Sequence, residues 1–536
     1  MHLSSQRNGT RKRSFFLFPN SNDRIRNSGT GKQTFITVSD KDGWPSFFII
    51  LLLNPFAILP GFEAMEGQKE VIDRLQRSFR SRVTLPEQFR LAQLDALLSL
   101  IKENETQILE ALHQDLYKPK FEAVLSEIDM VMNEICFAIN NLRTWMQPEY
   151  VGKNLATKLD DCFVRREPLG VVLIIGAWNY PLQLILLPLV GAIAAGNCAI
   201  LKPSEISQAT EKLLAELIPK YLSKECYAVV CGGAEETKTL LENRFDHIFY
   251  TGSQNVARSI LQAAAVHLTP VTLELGGKCP CLIYGKVDIK AAARRLAWAK
   301  FFNAGQSCVA PDYVLCTPQI QAALIPALRD ALEGFYTAQP KQCPDMGRIV
   351  SDRHWDRLNN MLERSAGTVE IGGESTKQEK YMAPTVLVNV KENDVLMQEE
   401  IFGPILPILS VETLEEGIDF MNCREKPLAL YIFSDEPQVV TKVLEQTSSG
   451  GFCSNDGIVH MTLPGLPFGG VGASGMGSYH GRWGFETFSH RRGCMLRGWG
   501  LERINVLRYP PYQETNLSWL RWATGAKKGW SGCSVM

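Results

Sequence analysis

The sequence predicts an α/β fold built around a parallel sheet. Between residues 160 and 290 the chain alternates short apolar runs with stretches of helical spacing. Continuous apolar runs of this length, separated by helices, are typical of strands buried on both faces of a parallel sheet. The runs are Val171–Ile175, Cys198–Leu201, Ala228–Val230, His247–Tyr250 and Val271–Leu275. We therefore expect these runs to be neighbouring strands of one sheet.

Two amphipathic helices are predicted ahead of the sheet. Apolar residues recur at three- and four-residue spacing from Val71 to Leu112, and Pro86 divides the run. Such spacing places the apolar side chains on one face of each helix. We expect that face to pack onto something larger.

Length and composition exclude several classes of protein. The chain has 536 residues, of which 45% are hydrophobic and 21% charged, with a formal net charge of −1. At roughly 100 to 200 residues per domain, this length predicts several domains with large cores. The composition is that of an ordinary globular protein and excludes wholesale disorder and a multi-span membrane protein. The balanced charge leaves no global field to attract nucleic acid.

The charge is unevenly distributed along the chain. Residues 1–43 carry +5 and residues 491–536 carry +6, which leaves −12 on the residues between them. An acidic body with two basic ends fits a protein whose termini approach an anionic surface such as a membrane. Solvated basic tails are the alternative.

Cysteine and histidine usage predicts neither a disulfide framework nor a metal site. The 14 cysteines are spread singly, and the closest pair is Cys279 with Cys281. The eight histidines form no HExxH or HxxxH pattern. Free thiols favour a reducing compartment such as the cytosol.

Residues 1–64 are predicted to be an extension outside the fold. The apolar run Phe47–Leu53 is short for a membrane span and is interrupted by Asn54 and Pro55. Three interpretations stay open: an extension of variable use with Met65 as an alternative start, a weak membrane anchor, and a signal peptide.

The last four residues, Cys533 to Met536, match the C-a-a-X prenylation box, and a terminal methionine favours a farnesyl group. A single lipid chain binds a membrane weakly, so a second signal is expected. Basic and aromatic side chains upstream could supply it, namely Arg521, Lys527, Lys528, Trp519, Trp522 and Trp530. The alternative is an inert C-terminal thiol.

Glycine and polar residues follow most of the predicted strands. These segments are Gly176–Asn179, Lys202–Glu205, Gly252 with Ser253, and Gly276 with Gly277. Ligands of parallel sheets bind beyond the carboxyl ends of the strands, so we expect these residues to share one crevice.

The chain also contains a G-x-G-x-x-G pattern at Gly470, Gly472 and Gly475. The dinucleotide fingerprint requires a strand directly before this pattern, whereas Pro464 and Pro467 stand here. A glycine-rich loop is the better interpretation.

Three residues are candidates for chemistry. Cys308 lies in a small polar stretch after the helical run Ala291–Phe302, where a thiol could be exposed. It could be a nucleophile or a small buried hydrophobe. Glu274 is ionisable within an apolar strand, where burial raises a carboxyl pKa and suits a general base, although a salt-bridged structural glutamate fits equally. Asn179 could donate to an oxyanion or form a turn.

Taken together, seven segments in order resemble the aldehyde dehydrogenase superfamily over about residues 66–510. They are Glu167–Gly170, Gly176–Pro181, Leu201–Glu205, Leu273–Lys278, Gly305–Cys308, Glu400–Pro404 and Pro467–Gly470. The Asn-Tyr-Pro after Trp178, the short start of the fold and the lipidation box resemble class 3 and its prenylated B subgroup.

The resemblance implies a role for each candidate. Cys308 becomes the nucleophile, Glu274 the residue that activates the deacylating water, and Asn179 the oxyanion donor, with Tyr180 near the substrate. The implied cofactor-binding residues are Lys202 and Glu205 at the adenosine ribose, Gly252, Ser253 and Val256 at the pyrophosphate, and Glu400 and Phe402 at the nicotinamide ribose.

The resemblance also implies the fold and its domains. It implies a Rossmann-like cofactor domain, an α/β catalytic domain and a small β oligomerisation arm. The expected boundaries are 65–272 for the NAD-binding domain, interrupted by an arm at about 148–166; 273–470 for the catalytic domain; 471–510 for a return segment and arm; and 511–536 for a basic tail. A homodimer is implied, with the arm pairing across subunits near residues 480–500.

The implied activity is NAD(P)-dependent oxidation of medium- and long-chain fatty aldehydes, including lipid-peroxidation products, at the cytoplasmic face of a membrane or lipid droplet, with a cytosolic pool. Glu205 should repel a 2′-phosphate and favour NAD, and class 3 implies tolerance of NADP. Family members commonly have Thr and Gly where this chain has Gln254 and Ala257. The phosphate turn could therefore approach the cofactor less closely, and the effect on cofactor affinity stays open.

Two further hypotheses stay open. The first is a prenylated, membrane-associated binding protein that has lost productive cofactor use. The second is a thiol hydrolase, which would need a distant histidine, because none lies between His267 and His354.

Overall fold

The computed structural model describes residues 67–525, and the structural statements below concern that range. The predicted N-terminal extension and the lipidation box with Cys533 lie outside the described residues. Within the range, no helix is both long and apolar enough to cross a membrane. The α-helices are Gln68–Arg80, Glu87–Glu103, Glu105–Leu116, Lys120–Ala123, Asp129–Trp145, Gln183–Ala195, Gln208–Tyr221, Ala234–Leu241, Gln254–His267, Ile289–Phe301, Pro318–Tyr336, Asp352–Arg364, Val395–Gln398, Leu414–Asn422, Pro437–Gln446, Gly481–Thr487, Glu502–Asn505 and Glu514–Thr524.

The five predicted strands are neighbours in a six-stranded sheet. Its spatial order is Gly475–Met476, Val271–Leu275, His247–Gly252, Val171–Ile175, Cys198–Lys202 and Tyr227–Val229. All neighbours are parallel except the first pair. The apolar runs therefore predicted every parallel strand, with shifts of one or two residues at the ends.

The strand order reverses at the middle of this sheet. The chain runs outward from Val171–Ile175 through two strands and then returns to pair His247–Gly252 on the other side. In such sheets a crevice opens beyond the carboxyl ends of the two strands at the reversal. The helix Gln183–Ala195, which follows the first strand and its turn, is buried along its whole length.

The helical start of the chain differs from the prediction. Three helices, rather than two, lie between residues 68 and 116, because Asn104 interrupts the second one. The side-chain amide of Asn104 donates to the carbonyl of Leu100 at 2.8 Å and to the hydroxyl of Tyr221 at 2.9 Å. Side chains of this kind compete with the helical backbone for its carbonyl groups.

A second, seven-stranded sheet lies in the later half of the chain. Its order is Thr368–Ile371, Thr385–Val388, Ile405–Ser410, Tyr313–Cys316, Pro280–Ile283, Ala429–Phe433 and Gly451–Ser454. The first pair is antiparallel and the other pairs are parallel. Its core is continuous with that of the six-stranded sheet. A short two-stranded ribbon, Ser375–Thr376 with Tyr381–Met382, completes this part.

The predicted arm is a three-stranded antiparallel sheet of Glu149–Tyr150, Asp161–Pro168 and Ser489–Leu496. The last two strands pair residue for residue within this chain. The expectation that the arm pairs with residues 480–500 across subunits is thus corrected, because the same chain already occupies that edge.

The glycine pattern at Gly470, Gly472 and Gly475 is not a strand-to-helix turn. It contains a single 3₁₀ turn, Gly472–Ser474, followed by the short edge strand Gly475–Met476. This geometry agrees with the rejection of a dinucleotide fingerprint.

Candidate active site

A cavity of about 610 Å³ opens at the strand reversal. Its size lies within the range typical of small-molecule and cofactor sites. Its walls include Ala177–Asn179, Thr251–Asn255, Glu274–Lys278, Cys308, His354, Arg357, Met397–Glu400, Phe402 and Cys423–Lys426. The turns after the first, fourth and fifth predicted strands therefore meet in one crevice, as the sequence predicted.

The loop that carries Cys308 is held in an unusual backbone conformation. Asn303 and Ala304 have φ of 54° and 53°, and Gly305 has φ of 74°. A Cβ at Gly305 would lie 2.3 Å from the carbonyl oxygen of Gly403, so only glycine fits there. The buried Gln306 then anchors the loop, because its side chain accepts from the Val350 N–H at 3.0 Å.

The same glutamine side chain also donates to the carbonyls of Asn303, at 3.1 Å, and Arg348, at 2.9 Å. These contacts place the partly exposed Cys308 at the wall of the cavity. The thiol is therefore neither enclosed in the core nor turned away from the crevice.

The electrostatic surroundings of Cys308 favour the neutral thiol. Burial raises the pKa of Cys308 above its ordinary value, and the charges of Glu400 and Glu274 raise it further. The N–H groups of Cys308 and Val309 oppose this shift. A base must therefore remove the proton before this sulfur can act as a nucleophile.

Glu274 is a buried carboxyl group without a fixed partner. Its strand pairs it with Thr251 on one side and Gly475 on the other. Burial raises the pKa of Glu274 well above the ordinary glutamate value. Neither carboxyl oxygen has a hydrogen-bond partner among the described residues. The salt-bridged alternative is therefore not what the structure describes, and the group is free to exchange a proton.

Asn179 lies in the turn after the first strand, four residues beyond Ile175, and lines the cavity. Its side-chain amide donates to the carbonyl of Gln306 at 3.2 Å, which ties it to the cysteine loop. Its own carbonyl accepts from Asn303 Nδ2 at 2.9 Å and from Lys118 Nζ at 3.0 Å. Asn179 is thus fixed from both sides.

Glycine makes room in the crevice at two points. A Cβ at Gly276 would lie 2.1 Å from Oε2 of Glu400, and one at Gly252 would lie 2.2 Å from the hydroxyl of Tyr250. The helix Gln254–His267 begins beside Gly252, with Ser253 as its N-cap. A helix N-terminus that faces a cavity favours a phosphate group.

An acidic and an aromatic side chain line the opposite wall. Burial raises the pKa of Glu400 to about 8, and a carboxyl group there can accept from a sugar hydroxyl. The ring of Phe402 contacts Trp178 edge-on, with centroids 5.3 Å apart. The donor set, the helix N-terminus and the glycines together fit a nicotinamide dinucleotide.

Three predicted cofactor residues do not line this cavity. Lys202 Nζ contacts Glu205 Oε2 at 3.1 Å and the carbonyl of Pro203 at 2.8 Å. Val256 lies on the exposed side of the helix that begins at Gln254. The crevice therefore brings together Gly252, Ser253, Glu400 and Phe402, but not these three.

Gln254 and Ala257, the two residues that depart from the family at the phosphate turn, lie in different surroundings. Ala257 is buried in the first turn of the helix and does not line the cavity, whereas Gln254 does. The methyl group of Ala257 therefore packs beneath the helix and not into the crevice.

A second, smaller cavity meets the first at Cys308, Glu274 and Thr251. Its other lining residues are Tyr180, Gln183, Leu184, Ser307, Val309, Met461, Phe468, Tyr479 and His480. Tyr180, which the resemblance placed near the substrate, therefore lies beside the nucleophile. Most of these side chains are apolar or aromatic, so Cys308 has an apolar wall on this side, although the cavity itself encloses only about 20 Å³.

Sequence reasoning missed the two histidines at the site. His354 lines the first cavity and His480 the second. Burial lowers the pKa of His354 to about 4 and that of His480 to about 3, so both rings are neutral at physiological pH. Both histidines are far from Cys308 in the sequence, so no local motif connects them to it.

The buried residues Lys118, Glu122 and Glu127 were also missed. They lie close behind Asn179 and Asn303. The available signal was a lysine in the loop before a helical stretch and two glutamates within that stretch, all three of them buried.

Comparisons with known proteins agree with this geometry. Residues 64–493 match the sequence model of the aldehyde dehydrogenase family, and the chain belongs to that family. The protein named aldehyde dehydrogenase family 3 member B1 of Bos taurus is 57% identical over 453 residues, which cover 84% of this chain and 96% of that protein. Family 3 member A2 of Rattus norvegicus is 51% identical over 448 residues, covering 84% and 92%.

A solved structure described as the substrate-bound state of Staphylococcus aureus AldH shares the fold, with a TM-score of 0.83 and 41% identity, covering 85% of this chain and 99% of that chain. The relatives place this chain in class 3 of the family. It is an aldehyde dehydrogenase, an enzyme that oxidises aldehydes with a nicotinamide cofactor.

Proposed function

We propose that this enzyme oxidises medium- and long-chain fatty aldehydes, including lipid-peroxidation products, to carboxylates through a covalent adduct on Cys308. One observation carries the proposal: Cys308 and Glu274 lie where the polar crevice and the apolar cavity meet. A sulfur at that junction can contact an aldehyde from one side and a cofactor from the other.

In the first step, the sulfur of Cys308 adds to the aldehyde carbonyl and the thiol proton leaves. Glu274 is suited to accept that proton, because its carboxyl group is unpartnered in the same space. The Asn179 amide and the Cys308 N–H then stabilise the oxyanion. Loss of one such donor typically costs about 100- to 1000-fold in turnover.

A nicotinamide dinucleotide, when bound, accepts the hydride whose departure converts the adduct into a thioester. Gly252 and Ser253 would hold its pyrophosphate, and Glu400 and Phe402 its nicotinamide end. Glu274 releases the first proton to solvent and then takes one from the attacking water. The C–S bond breaks, the carboxylic acid is released, and Glu274 returns its proton to the sulfur of Cys308.

We propose NAD as the preferred cofactor, with NADP tolerated. The carboxyl group of Glu205 lies at the adenosine end implied by the family, and a carboxylate there repels a 2′-phosphate. Its pairing with Lys202 at 3.1 Å offsets part of that repulsion, which supports tolerance of NADP.

We propose that the enzyme acts at the cytoplasmic face of the plasma membrane or a lipid droplet, with a cytosolic pool. Prenylated Cys533 would supply the lipid, and the basic tail the attraction to anionic headgroups. The helix Glu514–Thr524 supports this proposal, because Trp519 and Trp522 are 61% and 59% exposed. Such amphipathic rings favour a membrane interface.

We also propose a homodimer. The strand Ser489–Leu496 is mostly exposed, and Met495, Leu496 and Trp499 present apolar surface beside it. A contiguous exposed apolar patch is typical of a protein–protein interface. Light scattering on the purified chain should give twice the 59.9 kDa mass, whereas a monomer at all concentrations would refute this proposal.

The experiment that tests the substrate proposal is an assay series with aldehydes of increasing chain length, each with NAD and with NADP. We expect kcat/KM to rise with chain length, because each CH₂ that is buried stabilises the transition state by up to about 0.8 kcal/mol. We also expect kcat/KM to be higher with NAD than with NADP. A flat or falling series would overturn the fatty-aldehyde proposal. No nicotinamide reduction with any aldehyde would favour the non-catalytic binding protein.

A further inference from the structure

A buried polar cluster lies behind the turn that carries Asn179. It consists of Lys118, Glu122, Glu127 and Asn303, and we call it the buried platform. Three of these residues come from the segment that enters the helix ending at Trp145. A π-helical turn at Val124–Ile128 leads directly into that helix, and such turns are often found at functional sites.

Glu127 holds the start of the helix that follows Asn179. Its Oε2 accepts from the Leu182 N–H at 2.9 Å and the Gln183 N–H at 3.2 Å. Its Oε1 forms an ion pair with Lys118, and both side chains are fully buried. The π-helical turn is what supplies this carboxylate.

Lys118 reaches from this ion pair to the turn itself. Its Nζ donates to the carbonyl of Asn179 at 3.0 Å and lies 4.4 Å from the ring centroid of Tyr180. One buried ammonium group thus contacts both the proposed oxyanion donor and a residue of the apolar cavity.

Glu122 and Asn303 connect the platform to the cysteine loop. Glu122 Oε2 accepts from the Asn303 N–H at 2.9 Å, and Asn303 Nδ2 donates to the carbonyls of Asn179 at 2.9 Å and Gln306 at 3.0 Å. The backbone carbonyl of Asn179 therefore accepts two hydrogen bonds, one from Lys118 and one from Asn303.

We propose that Lys118, held by Glu127, is a positioning residue that fixes Asn179 against the Cys308 loop so that its amide points at the developing oxyanion. The inference rests on the proposed role of Asn179 in catalysis. Stability alone is a weak reason for a fully buried ion pair, because its desolvation cost often cancels the attraction. A geometric function explains why two charges are buried here.

The test is a double-mutant cycle on the full-length enzyme with Lys118→Met and Asn179→Ala, measured as kcat and KM for aldehyde oxidation. We expect Lys118→Met alone to lower kcat about 10- to 100-fold with little change in KM, as a misplaced catalytic group does. In the Asn179→Ala background it should cost nothing more. A merely structural lysine would lower kcat by the same factor in both backgrounds, and that result overturns the proposal.

The matched control is Lys377→Met, which removes an exposed lysine paired with Asp356 at 2.7 Å and should leave kcat unchanged. Glu127→Gln is the second variant, because it keeps an acceptor for the two backbone N–H groups but removes the charge that holds Lys118. Glu127→Gln should also lower kcat on its own and cost nothing more in the Asn179→Ala background. If both variants lose the fold by circular dichroism, the pair serves folding and the proposal is wrong.

The two proposals fail in different ways. If Asn179→Ala leaves kcat unchanged, the oxyanion role falls and the positioning role falls with it. If Asn179→Ala lowers kcat and the Lys118→Met effect is fully additive, only the positioning role is overturned.

Discussion

Two ionisable side chains face the same junction, and burial raises the pKa of both. The pKa of the Cys308 thiol is raised by burial and then by the carboxylates of Glu400 and Glu274, while that of Glu274 is raised by burial. When Glu274 is ionised, a neutral thiol beside its unpartnered carboxylate can transfer its proton to it as a carbonyl group arrives. The site therefore avoids a permanently reactive thiolate.

This arrangement predicts how alkylation of Cys308 depends on pH. The rate should rise with pH, because only the thiolate reacts, and its midpoint should lie above the ordinary cysteine pKa of about 8.5. Glu274→Gln removes a negative charge that raises the thiol pKa, so the midpoint should fall. Iodoacetamide labelling followed by peptide mass spectrometry measures both. A higher midpoint in Glu274→Gln would contradict the electrostatic account.

Glu274→Gln also separates the two halves of the reaction. Glu274→Gln removes the base for acylation but also lowers the thiol pKa, so that solvent can take the thiol proton, whereas deacylation still needs a base for the attacking water. We expect a burst of about one reduced cofactor per subunit, followed by a steady state at least about 100-fold slower, the usual contribution of a general base. Stopped-flow absorbance tests this. A linear time course without a burst would place the defect in acylation instead.

At this scale the sequence predicted much of the chemistry. Cys308, Glu274 and Asn179 stood in segments whose order resembles one family, so their meeting was expected. The positions of His354, His480 and the residues of the buried platform were not, because they meet the site only through long-range packing. Nor does local sequence reveal that the carboxylates of Glu400 and Glu274 raise the thiol pKa.

At the scale of the elements, the cysteine loop has a tightly constrained backbone. Three consecutive residues have positive φ, and Gly305 packs against the Gly403 carbonyl. The loop has this shape because Gln306 spans between Asn303, Arg348 and Val350.

Gly305→Ala is predicted to damage both stability and turnover. A left-handed alanine costs about 1–2 kcal/mol, and its Cβ would force the loop away from Gly403, moving Cys308. Gly334→Ala is the matched control, since nothing lies within 4 Å of a Cβ there and the helix tolerates it. Thermal unfolding and kcat report the two effects. Equal melting temperatures and turnover for the two variants would refute the packing argument.

Element prediction succeeded where one pattern decided the structure. Apolar runs such as Val171–Ile175 are buried on both faces, so composition alone marked them as parallel strands. It did less well where the structure depends on distant partners. The pairing of Asp161–Pro168 with Ser489–Leu496 joins segments more than 300 residues apart, and no local pattern specifies that edge.

At the scale of the whole molecule, the proposed membrane attachment concerns residues beyond the described range. Cys533→Ser should move the protein from the membrane to the soluble fraction, because one lipid chain and a basic tail act together. Cys136→Ser, which changes an exposed cysteine of the described range, should leave the distribution unchanged. Fractionation of cells expressing each variant measures this. Equal membrane recovery of Cys533→Ser and the unaltered protein would refute prenylation as the anchor.

The central claim is that aldehyde oxidation passes through a covalent acyl group on Cys308 at the junction of the two cavities. It is tested most directly by incubating Glu274→Gln with a long-chain aldehyde and NAD, quenching with acid, and determining the peptide masses. The account predicts the acyl mass on the peptide that contains Cys308, only when cofactor is present, and no oxidation by Cys308→Ser. An unmodified Cys308 peptide after turnover, or sustained oxidation by Cys308→Ser, would contradict it.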